Sequence, residues 1–407
     1  MDSDPVARND ERPCPVCGAR TADILHHRRF VLPDGHPLAD GYSVLTCRDC
    51  GAAYASPLPP QEAYDRFYRD DSKYADLATG TGSGVQSWDD QRLNETACKV
   101  AEMTADRTTH IVDIGCGAGG LLRRLAALGF SNLTGIDPAP ACAAVTSAIA
   151  GVRGEVGSFF ALPRLSEPAE LIVLSHVLEH VRDVSEAIDA IRAIVPAGGR
   201  VYAEVPDAAR YADFLVAPFL DFNTEHINHF SESTLRHLFT SHGWRVSDSG
   251  TKTIASSPVA QYPCAWILVE AVDPMPVVPR EPDRTLRLEL ERYIAASEAL
   301  LARVTARCNA LEIPGRDVIV WGTGQTTAIL LADTPLATAH IRAFTDSNPI
   351  HFGRTIAGVR VVGPDALRSM PDVPIIIGSL LHGAEIAAAI SAHGLTNPVL
   401  RLDPYAQ

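Results

Sequence analysis

The chain has 407 residues, 46% of them hydrophobic, with 35 basic residues against 49 acidic ones. That length exceeds one ordinary core and predicts two or three domains, and the net charge of −14 opposes any general attraction to nucleic-acid phosphates. No apolar run approaches a membrane span, and the acidic start Met1-Asp2-Ser3-Asp4-Pro5 is unlike a signal peptide, so a soluble cytoplasmic protein is expected, with neither nucleic acid nor membrane as partner.

Four of the nine cysteines stand in two tight pairs, Cys14-Pro-Val-Cys17-Gly and Cys47-Arg-Asp-Cys50-Gly. Paired C-x-x-C-G turns in a reducing compartment suit a Cys₄ zinc site, because each turn aims two thiolates at one ion and the glycine permits the bend. A redox dithiol or a disulfide is the competing reading. Four thiolates leave no coordination position open, so such a metal is structural. The 29 residues between the pairs predict a small hairpin, Phe30 to Leu32 with Tyr42 to Leu45. Tyr64 and Phe67 recur at helical spacing and read as core, whereas Tyr68 and Tyr74 sit in a polar setting and either pack or point into a site. A Gly/Ser/Thr loop runs from Thr79 to Gly84.

The informative stretch is Val112-Asp113-Ile114-Gly115-Cys116-Gly117-Ala118-Gly119-Gly120. An apolar run from His110 to Ile114 ends on a glycine-rich turn and feeds a helical pattern of Leu121, Leu122, Leu125 and Leu128. Bare backbone at 115, 117 and 119 lets a ligand approach, and the helix start beyond offers unsatisfied N–H donors. A second strand, Leu133 to Ile136, ends in Asp137, twenty residues past Gly117, where a carboxylate can accept both hydroxyls of a ribose. The pair predicts a nucleoside site.

A dinucleotide fold calls for G-x-G-x-x-G; here the order is G-x-G-x-G, and this first strand resembles that of the class I S-adenosylmethionine (AdoMet) methyltransferases, V-D-x-G-C-G-x-G. The resemblance implies that Gly115, Gly117 and Gly119 pass beside the amino acid moiety of AdoMet, with Asp113 near its ammonium and Asp137, followed by Pro138, on the ribose. The alternative is a glycine-rich loop of another nucleotide fold.

Helices and strands then alternate, with helices at Pro140 to Ile149 and Val184 to Ile194 and strands at Leu171 to Ser175 and Val201 to Val205. That order predicts a mostly parallel sheet with ligands at the carboxyl ends of its strands. Of the loops there, Gly157-Ser158-Phe159 is predicted along the adenine. Ser175-His176-Val-Leu-Glu179-His180 carries two histidines four apart, on one face if this is a helix start. They either satisfy structural hydrogen bonds or line the pocket. The next loop ends Asn223-Thr224-Glu225-His226-Ile227-Asn228-His229-Phe230-Ser231, with Ser231 the expected N-cap of a helix. His226 beside Glu225 is a candidate to take a proton from carbon next to a carbonyl; the bland alternative is a pair capping the helix.

From Trp244 to Glu270 two β-like segments close the sheet, residues 274 to 282 form a Pro-rich linker, and a long amphipathic helix runs from Leu286 to Leu311. A last domain opens with Trp321-Gly322-Thr-Gly324-Gln-Thr-Thr327 and continues through Asp346-Ser-Asn348-Pro349 and Gly353-Arg354. It either binds a nucleotide or only shapes a cleft.

The paired cysteine turns, the E-H-x-x-x-F-S run from Glu225 and the C-terminal half-Rossmann segment together resemble the sugar C-methyltransferases of deoxysugar biosynthesis. The resemblance implies a nucleotide-linked 4-keto deoxysugar as small-molecule substrate. On that resemblance His226 is expected to act as base beside the ketone and the enolate to attack the AdoMet methyl; Glu225 is then expected to orient or polarise the base and His180 to line the pocket. Asn223 stands where that family carries a tyrosine two positions before the glutamate. The expected fold is α/β: a zinc-binding module over 1–75, a Rossmann-like class I methyltransferase core over 76–272 with His176 in its cofactor crevice, and a helix with a Rossmann-like lobe over 273–407. AdoMet and structural Zn²⁺ are the expected cofactors, and the chain is expected to be a monomer or small homo-oligomer.

Overall fold

The protein is described here by a computed structural model covering residues 12–72, 87–257, 260–273 and 282–403. Tyr74, the loop from Thr79 to Gly84 and residues 274–281 of the Pro-rich stretch lie outside these residues. Contacts divide the chain into two compact units. One comprises Met1–Leu25, Ser43–Tyr211 and Glu225–Glu289, the other His26–Tyr42, Ala212–Thr224 and Leu290–Gln407.

The first unit is built on a seven-stranded sheet. In spatial order its strands are Trp244–Ala255, Gln261–Ala271, Arg200–Pro206, Leu171–Ser175, Ile111–Ile114, Leu133–Asp137 and Val152–Val156. The five strands from Arg200–Pro206 to Val152–Val156 pair in parallel, and the two C-terminal strands add antiparallel. Strands covered on both faces read as unbroken apolar runs, and side chains two apart share a face. Val112, Ile114, Ile172, Leu174, Val201 and Ala203 therefore pack with Val184, Ile188 and Ile191 of the helix Val184–Ile194. Ile111, Leu171, Val173 and Tyr202 face the other way, onto Leu121, Leu122 and Leu125 of the helix Gly120–Ala127.

The strand order locates the crevice. From Ile111–Ile114 the chain steps outward through Leu133–Asp137 to Val152–Val156, then crosses back to place Leu171–Ser175 on the other flank of Ile111–Ile114. The loops after Ile114 and Ser175 diverge at that reversal, which is where open α/β sheets bind ligands.

A small sheet, ordered Ala22–Arg29, Gly41–Cys47, Ala53–Ser56 and Asn228–His229, accompanies the cysteine turns. Its first strand differs from the expected hairpin. It spans Ala22–Arg29 and ends before Phe30 to Leu32; the polar run His26-His27-Arg28-Arg29 masks its β pattern in sequence. The second unit carries six strands, Thr355–Ile356, Val359–Val362, His340–Thr345, Asp317–Trp321, Ile375–Ile377 and Val399–Arg401 in spatial order. All its pairs are parallel except the edge hairpin. Leu290, Tyr293, Leu300, Val304 and Cys308 on the helix Leu286–Ala310 are buried. Among the described residues no helix is long and apolar enough to cross a membrane.

Candidate active site

The two cysteine turns converge. Gly18 N–H donates to Cys14 O and Gly51 N–H to Cys47 O, and both glycines have positive φ, the conformation each turn requires. Cys14 Sγ lies 3.6 Å from Cys50 Sγ and Cys17 Sγ 3.5 Å from Cys47 Sγ, and all four sulfurs fall within 4.8 Å of one another. Thiolates about 2.3 Å from a tetrahedral ion stand roughly 3.8 Å apart, so the cluster fits one metal ion. Cys14, Cys47 and Cys50 belong to the apolar core of the first unit, together with Val16, Leu45 and Tyr54, and the partly buried Cys17 packs against it.

A cavity of about 350 Å³ opens at the crevice. One end is the glycine turn. Gly115 and Gly117 adopt φ of +80° and +52°, and Asp137 accepts hydrogen bonds from the N–H groups of Gly117 and Ala139, both at 2.9 Å. A Cβ at Gly117 would meet nothing within 4 Å, whereas one at Gly115 would stand 2.7 Å from Val177 Cγ2. The bare turn therefore serves two ends, open space at 117 and close packing of the His176 loop at 115. Asp113, Pro138, Ser158 and Phe159 complete this end. Burial, with the charges of Asp137 and Glu204 added, pushes the Asp113 carboxyl up to about 7 against the pull of Arg92. Burial also raises Asp137, opposed by its two backbone donors.

Histidines line the same cavity. The rings of His180 and His226 lie 5.0 Å apart edge to face, and Tyr68 stands 6.0 Å from His180. His180 Nδ1 lies 3.0 Å from the carbonyl oxygen of Glu225, an acceptor that needs a proton on Nδ1. Glu179 is buried beneath the group, 3.4 Å from His176 Nδ1 and 3.8 Å from His180 Nε2. Glu179, His180 and His226 also present ligand atoms within 4.8 Å of one another.

His176 and His180 do not share one helical face. Only Leu178–His180 is helical, as a single 3₁₀ turn, and His176 precedes it in the left-handed region at φ +57°. Its N–H donates to Glu204 O, a strained arrangement of the kind found at functional loops. Below it the Glu204 carboxylate accepts from Thr96, Ser175, Tyr202 and Lys252. Burial alone would raise that carboxyl, but Lys252, His176 and the hydrogen bonds hold it well below the usual range.

The cavity brings together Asp113, Gly115, Gly117, Asp137, Pro138, Ser158, Phe159, His176, His180 and His226. Gly119 and Glu225 are not among its lining residues. Gly119 caps the helix with its bare Cα against Thr146 and Ile149, and Glu225 contributes its carbonyl to His180. Asn223 is likewise absent from the lining, its amide donating to Leu220 O. Sequence reasoning missed Gln61, Arg92, Glu179 and Tyr262 and read Tyr64 only as core. Glu179 alone carried a signal, an acidic residue between two histidines in a loop leaving a buried strand.

Residues 88–249, which carry the glycine turn and both histidine loops, match the sequence family described as a methyltransferase domain. The chain is 24% identical over 266 residues to C-methyltransferase NovU of Streptomyces niveus, an alignment covering 62% of this chain and 61% of that protein. It is 36% identical over 98 residues to a ubiquinone biosynthesis O-methyltransferase of a Methylobacterium species, covering 23% of this chain and 39% of that protein. The chain thus spans less than two thirds of either relative. A solved AdoMet-dependent methyltransferase from Mesorhizobium loti is 16% identical, with 44% of this chain and 99% of that one covered and a TM-score of 0.37.

Proposed function

We propose that the protein is an AdoMet-dependent C-methyltransferase that acts beside a ketone of a nucleotide-linked deoxysugar or similar small molecule, with His226 as general base. The observation that carries the reading is one cavity lined both by a glycine turn with buried carboxylates and by the His180–His226 pair. The name of the Streptomyces relative supports transfer to carbon.

On this reading Asp113, Gly115, Gly117, Asp137, Pro138, Ser158 and Phe159 hold AdoMet, with Gly119 and His176 shaping the turn and the loop beside it. When bound, AdoMet supplies an electrophilic methyl group. A C–H bond has no lone pair to offer, so the chain must create a nucleophile, and His226 does so by taking the proton from the carbon beside the ketone. His180, its ring fixed by the Glu225 carbonyl, lines the pocket and keeps the His226 ring in place. The four cysteines hold a structural Zn²⁺ that takes no part in the chemistry.

Incubating the enzyme with a nucleotide-linked 4-keto deoxysugar in D₂O without AdoMet tests the reaction. Deuterium is expected at the carbon beside the ketone, and a substrate that is methylated yet never exchanges overturns the reading. His226→Gln is expected to retain AdoMet affinity and lose turnover by about a hundredfold or more. Methyl transfer to oxygen is the second reading, favoured by the 98-residue match to the O-methyltransferase; there His226 deprotonates a hydroxyl and no carbon-bound deuterium appears.

A further inference from the structure

The loops that carry His180 and His226 are joined by a residue from outside both of them. The Arg12 guanidinium donates from Nε to Ala55 O at 2.9 Å, from Nη1 to Arg182 O at 2.6 Å, and from Nη2 to Ile227 O at 2.9 Å and Asn228 Oδ1 at 2.8 Å. None of these acceptors is charged. Asn228 in turn donates from Nδ2 to Leu178 O at 2.9 Å and Val181 O at 2.7 Å. Arg182, Leu178 and Val181 flank His180, and Ile227 and Asn228 follow His226. The carbonyls of one loop and the backbone and amide of the other are thus gathered on a single fork, and both Arg12 and Asn228 are buried. A buried cation held only by neutral acceptors is costly to desolvate, and a smaller polar residue would satisfy any one of these carbonyls.

We propose that Arg12 and Asn228 are positioning residues that set the spacing of His180 and His226. Only a planar guanidinium with five N–H groups reaches acceptors on three separate segments at once; a lysine ammonium donates from one point. The inference rests on the proposed reading that the two histidines form the reacting end of the cavity.

The test uses the full chain with ¹³C-labelled histidine rings, the His180 and His226 signals being assigned from His180→Gln and His226→Gln. Arg12→Lys and Asn228→Asp are each expected to move both ring signals while AdoMet affinity, measured by calorimetry, stays within about threefold of wild type. Millimolar guanidinium is expected to return the signals toward their original positions in Arg12→Gly. Unmoved ring signals in folded variants overturn the proposal, as do signals that move only together with a loss of AdoMet affinity, which a general loss of structure produces. Should Arg12→Lys fail to fold, Asn228→Asp decides on the same criteria, because it keeps an acceptor for Arg12 and removes both donors to the His180 loop. Failure of that variant to fold also overturns the proposal. Neither readout requires methyl transfer, so a negative solvent-exchange result tells against the proposed reaction alone.

Discussion

Gly115 and Gly117 differ in what a methyl group would meet, and the difference separates stability from binding. Both have positive φ, so alanine costs about 1–2 kcal/mol at either position from backbone strain. At 115 the new Cβ also displaces Val177, and overpacking adds about 1–3 kcal/mol. Gly115→Ala is therefore expected to melt well below Gly117→Ala, and thermal melts of the two variants check the order. Gly117→Ala is expected to fold and to lose AdoMet affinity, because its Cβ enters the space at the cavity end. Asp113 gives a second prediction. Its folded carboxyl, pushed up to about 7 from an ordinary 3.8, keeps a proton that the unfolded chain releases. That contribution to stability is complete below the unfolded value and is lost as pH rises from about 4 through 7. Asp113→Asn stays neutral throughout, so its melting temperature relative to wild type should climb across that interval in the absence of AdoMet. A constant difference rejects the raised carboxyl.

Among the elements, the helix Glu232–Ser241 shows how local chemistry fixes the histidine loop from its far end. Ser231 Oγ accepts from Thr234 N–H at 3.1 Å while Thr234 Oγ1 accepts from Ser231 N–H at 2.9 Å, a reciprocal cap. Ser231 Oγ also donates to Asp283 Oδ2. Losing the cap is worth about 1–2 kcal/mol, and the buried Asp283 carboxylate would lose a partner. Ser231→Ala is expected to shift the denaturant midpoint accordingly with an unchanged slope, whereas Ser231→Thr should stay close to wild type. The 3₁₀ turn Leu178–His180 has no such self-contained cap. Its Leu178 carbonyl accepts from Asn228 Nδ2 and its Glu179 carbonyl from Ile227 N–H, both from another part of the chain, so the isolated segment has little reason to adopt this shape.

For the first unit as a whole, the cysteine cluster belongs to the main apolar core. Thiolates left without an ion would repel one another inside that core. Cys14→Ser is expected to release the metal, measured by elemental analysis, and to lower the melting temperature by roughly 10 °C, at about 2–4 °C per kcal/mol for a unit of this size. Retention of both metal and melting temperature would refute a structural ion at this cluster.

The chain's own order of residues determined the parallel strands, the glycine turn, the carboxylate twenty positions on, the cysteine pairs and the Ser231 cap. Each of these follows from chemistry within a few neighbours: apolar runs, residues that permit positive φ, and short side-chain-to-backbone bonds. The polar strand Ala22–Arg29 was hidden because its hydrogen bonds, not its side chains, make it a strand. Only the tertiary structure decided that His176 stands in a left-handed kink over Glu204 and that Glu179 lies beneath the histidines. It alone decided that Arg12, more than 160 residues distant, ties the His180 and His226 loops together. The His176–Glu204 and Arg12 contacts join residues far apart in the chain, and no local periodicity encodes a hydrogen bond whose acceptor is the backbone of a distant loop.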